Sequence, residues 1–247
     1  MRTECAKLSL PGNRQDNQDR VDVLSNDSAV LLVVVDGMGG HAEGAKAAEV
    51  TVATVAELFA AERAQILDPQ GFLTHALSLA HARVASLGGN VAVGHKPRAT
   101  CALCLVQDAS TYWAHIGDSR IYHLRAGRIV QRTRDHSHVE LLRREGLIAE
   151  RDMRSHPMRN YVECCLGGDW QLPNMSIAGR KKLEPGDVLL ACTDGLWSGV
   201  DDSEIAALSN PDESVARALP LLAQRAVARN HPHSDNTSAV AVRWLGD

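Results

Sequence analysis

Residues 29–48 read AVLLVVVDGMGGHAEGAKAA, and this one stretch passes from strand to turn to helix. The run 29–35 is continuously β-branched or aliphatic and reads as a strand, while residues 42–66 shift to helical spacing rich in Ala and Glu. Working outward, residues 21–24 alternate as a short strand before it, and 69–87 form a second helical stretch after it. Beyond the loop LGGNVAVGHKPR (87–98) come two apolar runs, 100–106 and 111–116. The segment IYHLRAGRIVQRT (121–133) then reads as a hairpin turning at Ala126 and Gly127, which completes a β-meander. Residues 137–145 read as a helix, 146–168 as irregular, 175–181 and 188–191 as strands, 213–229 as a helix and 238–244 as a last strand. Strands and helices come in blocks and not in regular βαβ alternation, so the pattern predicts an α+β layered fold with mainly antiparallel sheets.

The chain has 247 residues, 45% hydrophobic and 23% charged, and no Pro/Ser/Gly-rich linker divides it, so one domain over 1–247 is expected. Its longest aliphatic run ends at Asp36, far short of the roughly 20 apolar residues of a membrane helix. The opening MRTECAK lacks an apolar block with a cleavage site, which leads to the expectation of a cytoplasmic protein with no membrane partner. Net charge is −4 and the Lys and Arg residues are scattered, so nucleic acid is not an expected partner. The six cysteines include one C-x-x-C, Cys101 and Cys104, with no second Cys/His pair to complete a zinc site. Both are read as small core residues, as are Cys5, Cys164, Cys165 and Cys192, all reduced.

Three aspartates share one setting, at the end of an apolar strand and just before a turn: Asp36 in VVVDG, Asp118 in AHIGDSR and Asp194 in LLACTDG. Asp235, in HSDNTSAVAV, stands just before a strand, and antiparallel pairing would carry it to the same rim. Taken alone, each is more often a turn former or helix cap than a ligand. Together without a cation they would repel, so a convergent acidic rim predicts bound metal. Oxygen-only ligands select hard cations, Mg2+ or Mn2+, and a pair of them suits in-line phosphoryl chemistry.

These aspartates fall in an ordered series of motifs: R-x-x-N-Q-D at 14–19, D-G-M-G-G-H at 36–41, G-D-S-R at 117–120, D-H-S at 135–137, H-P at 156–157 followed by Arg159, Asn160, Leu166 and Gly167, T-D-G-L at 193–196, and D-N-T at 235–237. The series resembles the PP2C or PPM type of metal-dependent serine/threonine protein phosphatase over nearly the whole chain, and the DGMGGH form resembles its bacterial branch. The resemblance implies an α-β-β-α sandwich of two mainly antiparallel sheets flanked by helices. It implies that Asp36 bridges two metals, that the Gly37 carbonyl completes one, and that Asp194 and Asp235 hold the other. Asp19 would orient metal-bound water, Asp118 with Asp194 would form a weaker third metal site, and Arg14 would grip phosphate oxygens. The implied reaction is in-line attack of a metal-bridging water or hydroxide on phosphoserine or phosphothreonine of proteins, opposing a bacterial Ser/Thr kinase and its targets. A monomer is the family's default.

Some features depart from that pattern or lie outside it. Animal members carry a His two residues after the bridging aspartate; here it is Met38, which leaves the general acid unassigned. His41 either assists the leaving group or supports the glycine turn and opens the next helix, the latter being the commoner role; metal-bound water is the alternative proton source. Ala99-Thr100-Cys101 replaces the usual Gly-Thr-Thr, read as packing. His136, His138, His156, His231 and His233 flank turns and are read as solvated or capping. No cysteine has an Arg six residues later, so the C-x5-R phosphatase chemistry is excluded. The segment 141–166 matches the family's variable flap, with Arg143, Arg144, Arg151, Arg154 and Arg159 forming either a solvated face or a dock for phosphopeptides. Two rival readings are a catalytically silent phosphoprotein binder, which the intact Asp36, Asp194, Asp235 and Arg14 argue against, and a phosphatase controlling sigma-factor antagonists.

Overall fold

The strand β3 (Ala29–Val35) is buried at every position, and its two faces enter two different cores. Ala29, Leu31, Val33 and Val35 pack beneath helices, whereas Val30, Leu32 and Val34 pack against a second sheet. A run with no polar face therefore sits in the middle of the molecule, covered on both sides. The computed structural model describes residues 1–39, 41–62, 64–89, 96–153 and 155–246, and of residues 41 and 42 the backbone only.

β3 belongs to a five-stranded sheet with β2 (Arg20–Ser25), β6 (Cys101–Gln107), β7 (Ser110–Ile116) and β11 (Ser176–Lys182), in the order β11-β7-β6-β3-β2. The facing sheet runs β1-β13-β12-β8-β9, from β1 (Arg2–Leu10), β8 (Arg120–Arg125), β9 (Arg128–Arg132), β12 (Val188–Cys192) and β13 (Thr237–Gly246). A small third sheet joins β4 (Gly37–Met38), β5 (Arg98–Ala99) and β10 (Leu166–Gly167). Every ladder is antiparallel. Helices α1 (His41–Ala61) and α2 (Pro69–Leu87) cover the first sheet. On the second lie the short α5 (Asp194–Trp197) and α6 (Asp202–Ala206) and the amphipathic α7 (Val215–Arg229). The layers are thus helix, sheet, sheet, helix, as expected. Two further short helices, α3 (His138–Arg144) and α4 (Glu150–Met153), lie along the segment that follows β9.

Several elements differ from the sequence reading. β1 is absent from it, although Ala6, Leu8 and Leu10 alternate with Lys7 and Ser9; those three pack toward α7 while β1 pairs along the whole of β13. The first helix stops at Ala61 and not at 66, because the Asn26 side chain donates to the Glu62 carbonyl (2.9 Å) and the Gln107 amide holds Ile66 from both sides. The stretch 146–168 contains α4 and β10. All six cysteines are free; Cys101, Cys104 and Cys192 are buried, but Cys164 and Cys165 are half-exposed and Cys5 is exposed. Cys5 lies on the face of the edge strand opposite Ala6 and Leu8, so it is no core residue. Among the described residues no helix is long and apolar enough to cross a membrane.

Candidate active site

The acidic rim follows from strand register. β12 and β13 run antiparallel with Cys192 opposite Ala239, so the residue after one strand and the residue before the other share an end. Thr193 donates its amide to the Ser238 carbonyl (3.0 Å), and Asp194 opens α5 beside Asp235. β2 and β3 pair with Arg20 opposite Val35, which sets Asp19 next to Asp36. Asp118 lies in the tight β7–β8 turn, where Gly117 takes φ +96°, a conformation that favours glycine. Asp36 is tied to the loop before β6: its carbonyl accepts from the Thr100 amide (2.9 Å) and its amide donates to the Thr100 hydroxyl (3.3 Å), which contacts Ser119 at 2.7 Å. Thr100 therefore does more than the packing expected of it.

Asp36, Gly37, Asp118, Asp194, Asp235 and Arg14 line one cavity of about 460 Å³. All six are predicted site residues, and Asp19, only 2% exposed, lies buried among them. Gly37 has no room for a side chain, since a Cβ there would stand 2.1 Å from the Gly44 carbonyl oxygen. Met38 also lines the cavity. The His41 side chain lies outside the described residues. Among the described residues that line this cavity there is no His, Cys, Ser, Lys or Tyr.

The carboxylates perturb one another. Burial first, then the neighbouring charges, hold Asp36 and Asp194 well above the usual carboxylate range. Burial, reinforced by Asp135, pushes Asp118 up to about 7. Burial pushes Asp19 to about 6, against the pull of its polar neighbours Ser238 and Thr193. The Thr193 hydroxyl donates to Asp19 Oδ2 at 2.9 Å, whereas Asp19 Oδ1 is buried without a partner. Arg14 stands at the mouth and donates to Asp235 Oδ2 at 2.6 Å; that bond, with the charges of Asp235, Asp194 and Asp36, raises its own pKa.

This donor set suits a hard divalent cation: it is all oxygen, self-repelling when ionised, and includes a buried acceptor with nothing to accept. Among the described residues no group of three or more Asp, Glu, His and Cys side chains is closed up around one point. An ion here would complete its shell with the Gly37 carbonyl and water, as Mg2+ and Mn2+ commonly do.

Several supports escaped the sequence reading. The Trp197 indole donates to the Asp118 carbonyl at 3.0 Å, and Arg120 stacks 3.6 Å above the same ring while gripping Asp135 with two bonds of 2.8 and 2.7 Å. His136 is no helix cap: its ring stacks on His115 at 4.6 Å and clamps Gly117 by accepting from its amide, while the His136 backbone amide donates to the Gly117 carbonyl. Burial and His115 hold its pKa down at about 4, so the clamp is a neutral imidazole. His138 pairs with Glu163 at 2.7 Å. Asn236 ties the Arg14 loop to β13, donating to the Pro11 and Asp16 carbonyls and accepting from the Gln18 amide. The D-H-S and D-N-T motifs were the available signals for His136 and Asn236. Of the arginines at 141–166, Arg143 pairs with Glu140 and Arg151 lies 3.8 Å from Asp152; Arg154 lies outside the described residues.

Two stacked antiparallel sheets, with an acidic oxygen cleft at one end and an arginine at its mouth, define a class of metal-dependent protein phosphatases. The chain belongs to the protein phosphatase 2C family, whose model matches residues 12–229. It is 32% identical to a protein phosphatase 2C-type protein of Streptococcus pyogenes, over 82% of each chain. Its structure resembles the S. agalactiae serine/threonine phosphatase with a TM-score of 0.89 and 26% identity, over 99% of this chain and 100% of that one. It also resembles the catalytic domain of the serine/threonine protein phosphatase PstP solved with two manganese ions, with a TM-score of 0.81 and 28% identity over 99% of both chains.

Proposed function

We propose that this chain hydrolyses phosphoserine and phosphothreonine on proteins with two divalent ions, Mn2+ or Mg2+, and opposes a bacterial Ser/Thr kinase from the cytoplasm as a monomer. The observation that carries the reading is the meeting of Asp36, Asp118, Asp194 and Asp235, from four separate loops, in one cavity under Arg14. Asp36 and the Gly37 carbonyl, with Asp194 and Asp235, would hold the pair, and Asp118 with Asp194 a weaker third ion. Bound there, the metals supply Lewis-acid polarisation of the phosphoryl group and lower the pKa of water to give a nucleophile near neutral pH.

The chain's own residues do the rest. Arg14 offers a planar fork to two phosphoryl oxygens, a geometry a lysine does not reproduce. Its exposed position lets it exchange Asp235 for substrate. Asp19 offers its free Oδ1 as an acceptor that fixes the orientation of water behind Asp36. The described cavity lining presents no Ser, Thr, Cys, His, Lys or Tyr, and its carboxylates Asp36, Asp118, Asp194 and Asp235 would be engaged with the metals, which favours direct hydrolysis over a covalent enzyme intermediate. Met38 offers no proton to the leaving oxygen, which leaves water as the donor this reading assigns and His41 as the alternative. The segment 141–166 acts as a flap beside the cleft within one domain.

Manganese-dependent hydrolysis of p-nitrophenyl phosphate tests the reading. Asp36→Ala and Asp194→Ala are expected to lower kcat/KM at least about a hundredfold. Equal rates in wild type and variants would refute it. Phosphate release from phosphothreonine but not phosphotyrosine peptides then tests the substrate class.

A further inference from the structure

A second cavity, of about 620 Å³, opens directly from the metal cleft and shares Arg14, Asp118, Asn160, Asp194 and Asp235 with it. Its far wall is rich in charge, and most of that charge is already matched. Asp135 is held by Arg120, Glu140 by two bonds from Arg143 (2.9 and 2.6 Å), and Asp202 by Arg132 at 3.2 Å. Two arginines of the wall remain, Arg134 and Arg159. Neither guanidinium has a hydrogen-bond or ion-pair partner among the described residues, although Glu140, already gripped by Arg143, also feels the charge of Arg134; outside the metal cleft only Glu150 among the lining acids makes no ion pair, and its charge acts on Arg143. Unmatched cations beside a site that receives a phosphoryl group are placed to receive a second anion.

Arg134 is the better anchored of the two. Its carbonyl accepts from the buried His115 ring at 2.8 Å. The preceding Thr133 exchanges two 3.0 Å bonds with Ile121, and the following Asp135 is gripped by Arg120. The backbone is fixed on both sides while the side chain stays exposed, so ordering entropy is lost only in the side chain when an anion is gripped. Arg159 approaches from the turn after His156, to whose carbonyl its amide donates at 3.0 Å.

We infer that this cavity is a specificity subsite that binds a second anionic group of the substrate, flanking the residue being dephosphorylated; the inference rests on the phosphatase reading above. The shared chemistry is a planar or tetrahedral oxyanion held by a guanidinium fork, which either a Glu/Asp carboxylate or a second phosphoryl group provides.

The test uses phosphothreonine peptides identical except at the positions flanking the phosphorylated residue, which carry Ala, Glu, a second phosphothreonine or Lys. Wild type is expected to favour the Glu and doubly phosphorylated peptides over the Ala peptide by about fivefold in kcat/KM, the upper end for one exposed ion pair. That preference shrinks as salt rises. Arg134→Glu combined with Arg159→Glu is expected to turn the preference toward the Lys peptide. Each ratio is taken within one preparation, so an unfolded fraction cancels. A gain with the second phosphoryl only, or with both, assigns the group bound. A flat preference in wild type, or one that the double variant leaves unchanged, overturns the subsite. A wild type inert toward every peptide and toward p-nitrophenyl phosphate overturns the phosphatase reading itself, and the subsite with it.

Discussion

Asp19 concentrates the electrostatic problem of this protein in one side chain. Its carboxyl is 2% exposed, one oxygen is satisfied by Thr193, and the other accepts nothing. Its pKa in the folded chain is about 6, against an ordinary 3.8. Between those values the folded state binds the proton and the unfolded state does not, so stability falls as pH rises through that window. Asp118, at about 7, acts in the same direction. The chelator-treated protein is therefore expected to lose about 5 °C in Tm between about pH 5 and pH 7. Asp19→Asn is expected to make that slope shallower, leaving the part due to Asp118. Thermal melts across pH check both, and a wild-type Tm that is flat or rises over this interval would count against the buried charge cluster. The aspartates were legible in the sequence because each follows or precedes an apolar strand. The burial of Asp19, and its lone unsatisfied oxygen, were not, because they depend on Thr193 and Ser238, far away along the chain.

At the scale of elements, the cleft depends on how closely α5 approaches β13. Gly195 is the second residue of that helix, and a Cβ there would stand 2.0 Å from the Asn236 carbonyl oxygen. That obstacle is backbone, which has no rotamer by which to yield. Gly195→Ala is expected to destabilise the fold by about 2 kcal/mol through overpacking. Because Asp194 and Asp235 flank the contact, it is also expected to weaken manganese binding about tenfold. Denaturant midpoints and metal titrations of one preparation measure the two effects; loss of stability with metal affinity intact would show that the contact does not position the ligands. Here too the sequence was informative only in part. T-D-G-L and D-N-T mark the two ends of the contact, but nothing local says that they meet. The long strands and the two long helices were readable because their apolar patterns are sustained. β1 was missed because its polar face is dominated by charged and small residues, so its alternation shows only once β13 lies beside it. The helical boundary at Ala61 depended on Asn26 and Gln107, partners distant in sequence.

At the scale of the whole molecule, two sheets, each covered by helices, bring four loops to one end, and the chain places a carboxylate on each. The sandwich is stabilised by apolar layers that contain none of these carboxylates. The cleft, by contrast, gathers buried like charges that oppose folding unless a cation offsets them. Fold and site thus make opposite electrostatic demands, and a metal that binds only the folded chain reconciles them. A manganese titration of the chelator-treated protein, read by calorimetry, tests this most directly. The account predicts about two ions per folded chain, the number held by PstP, and loss of that binding in Asp36→Asn. No uptake by wild type at millimolar manganese, or the same uptake in Asp36→Asn, would contradict it.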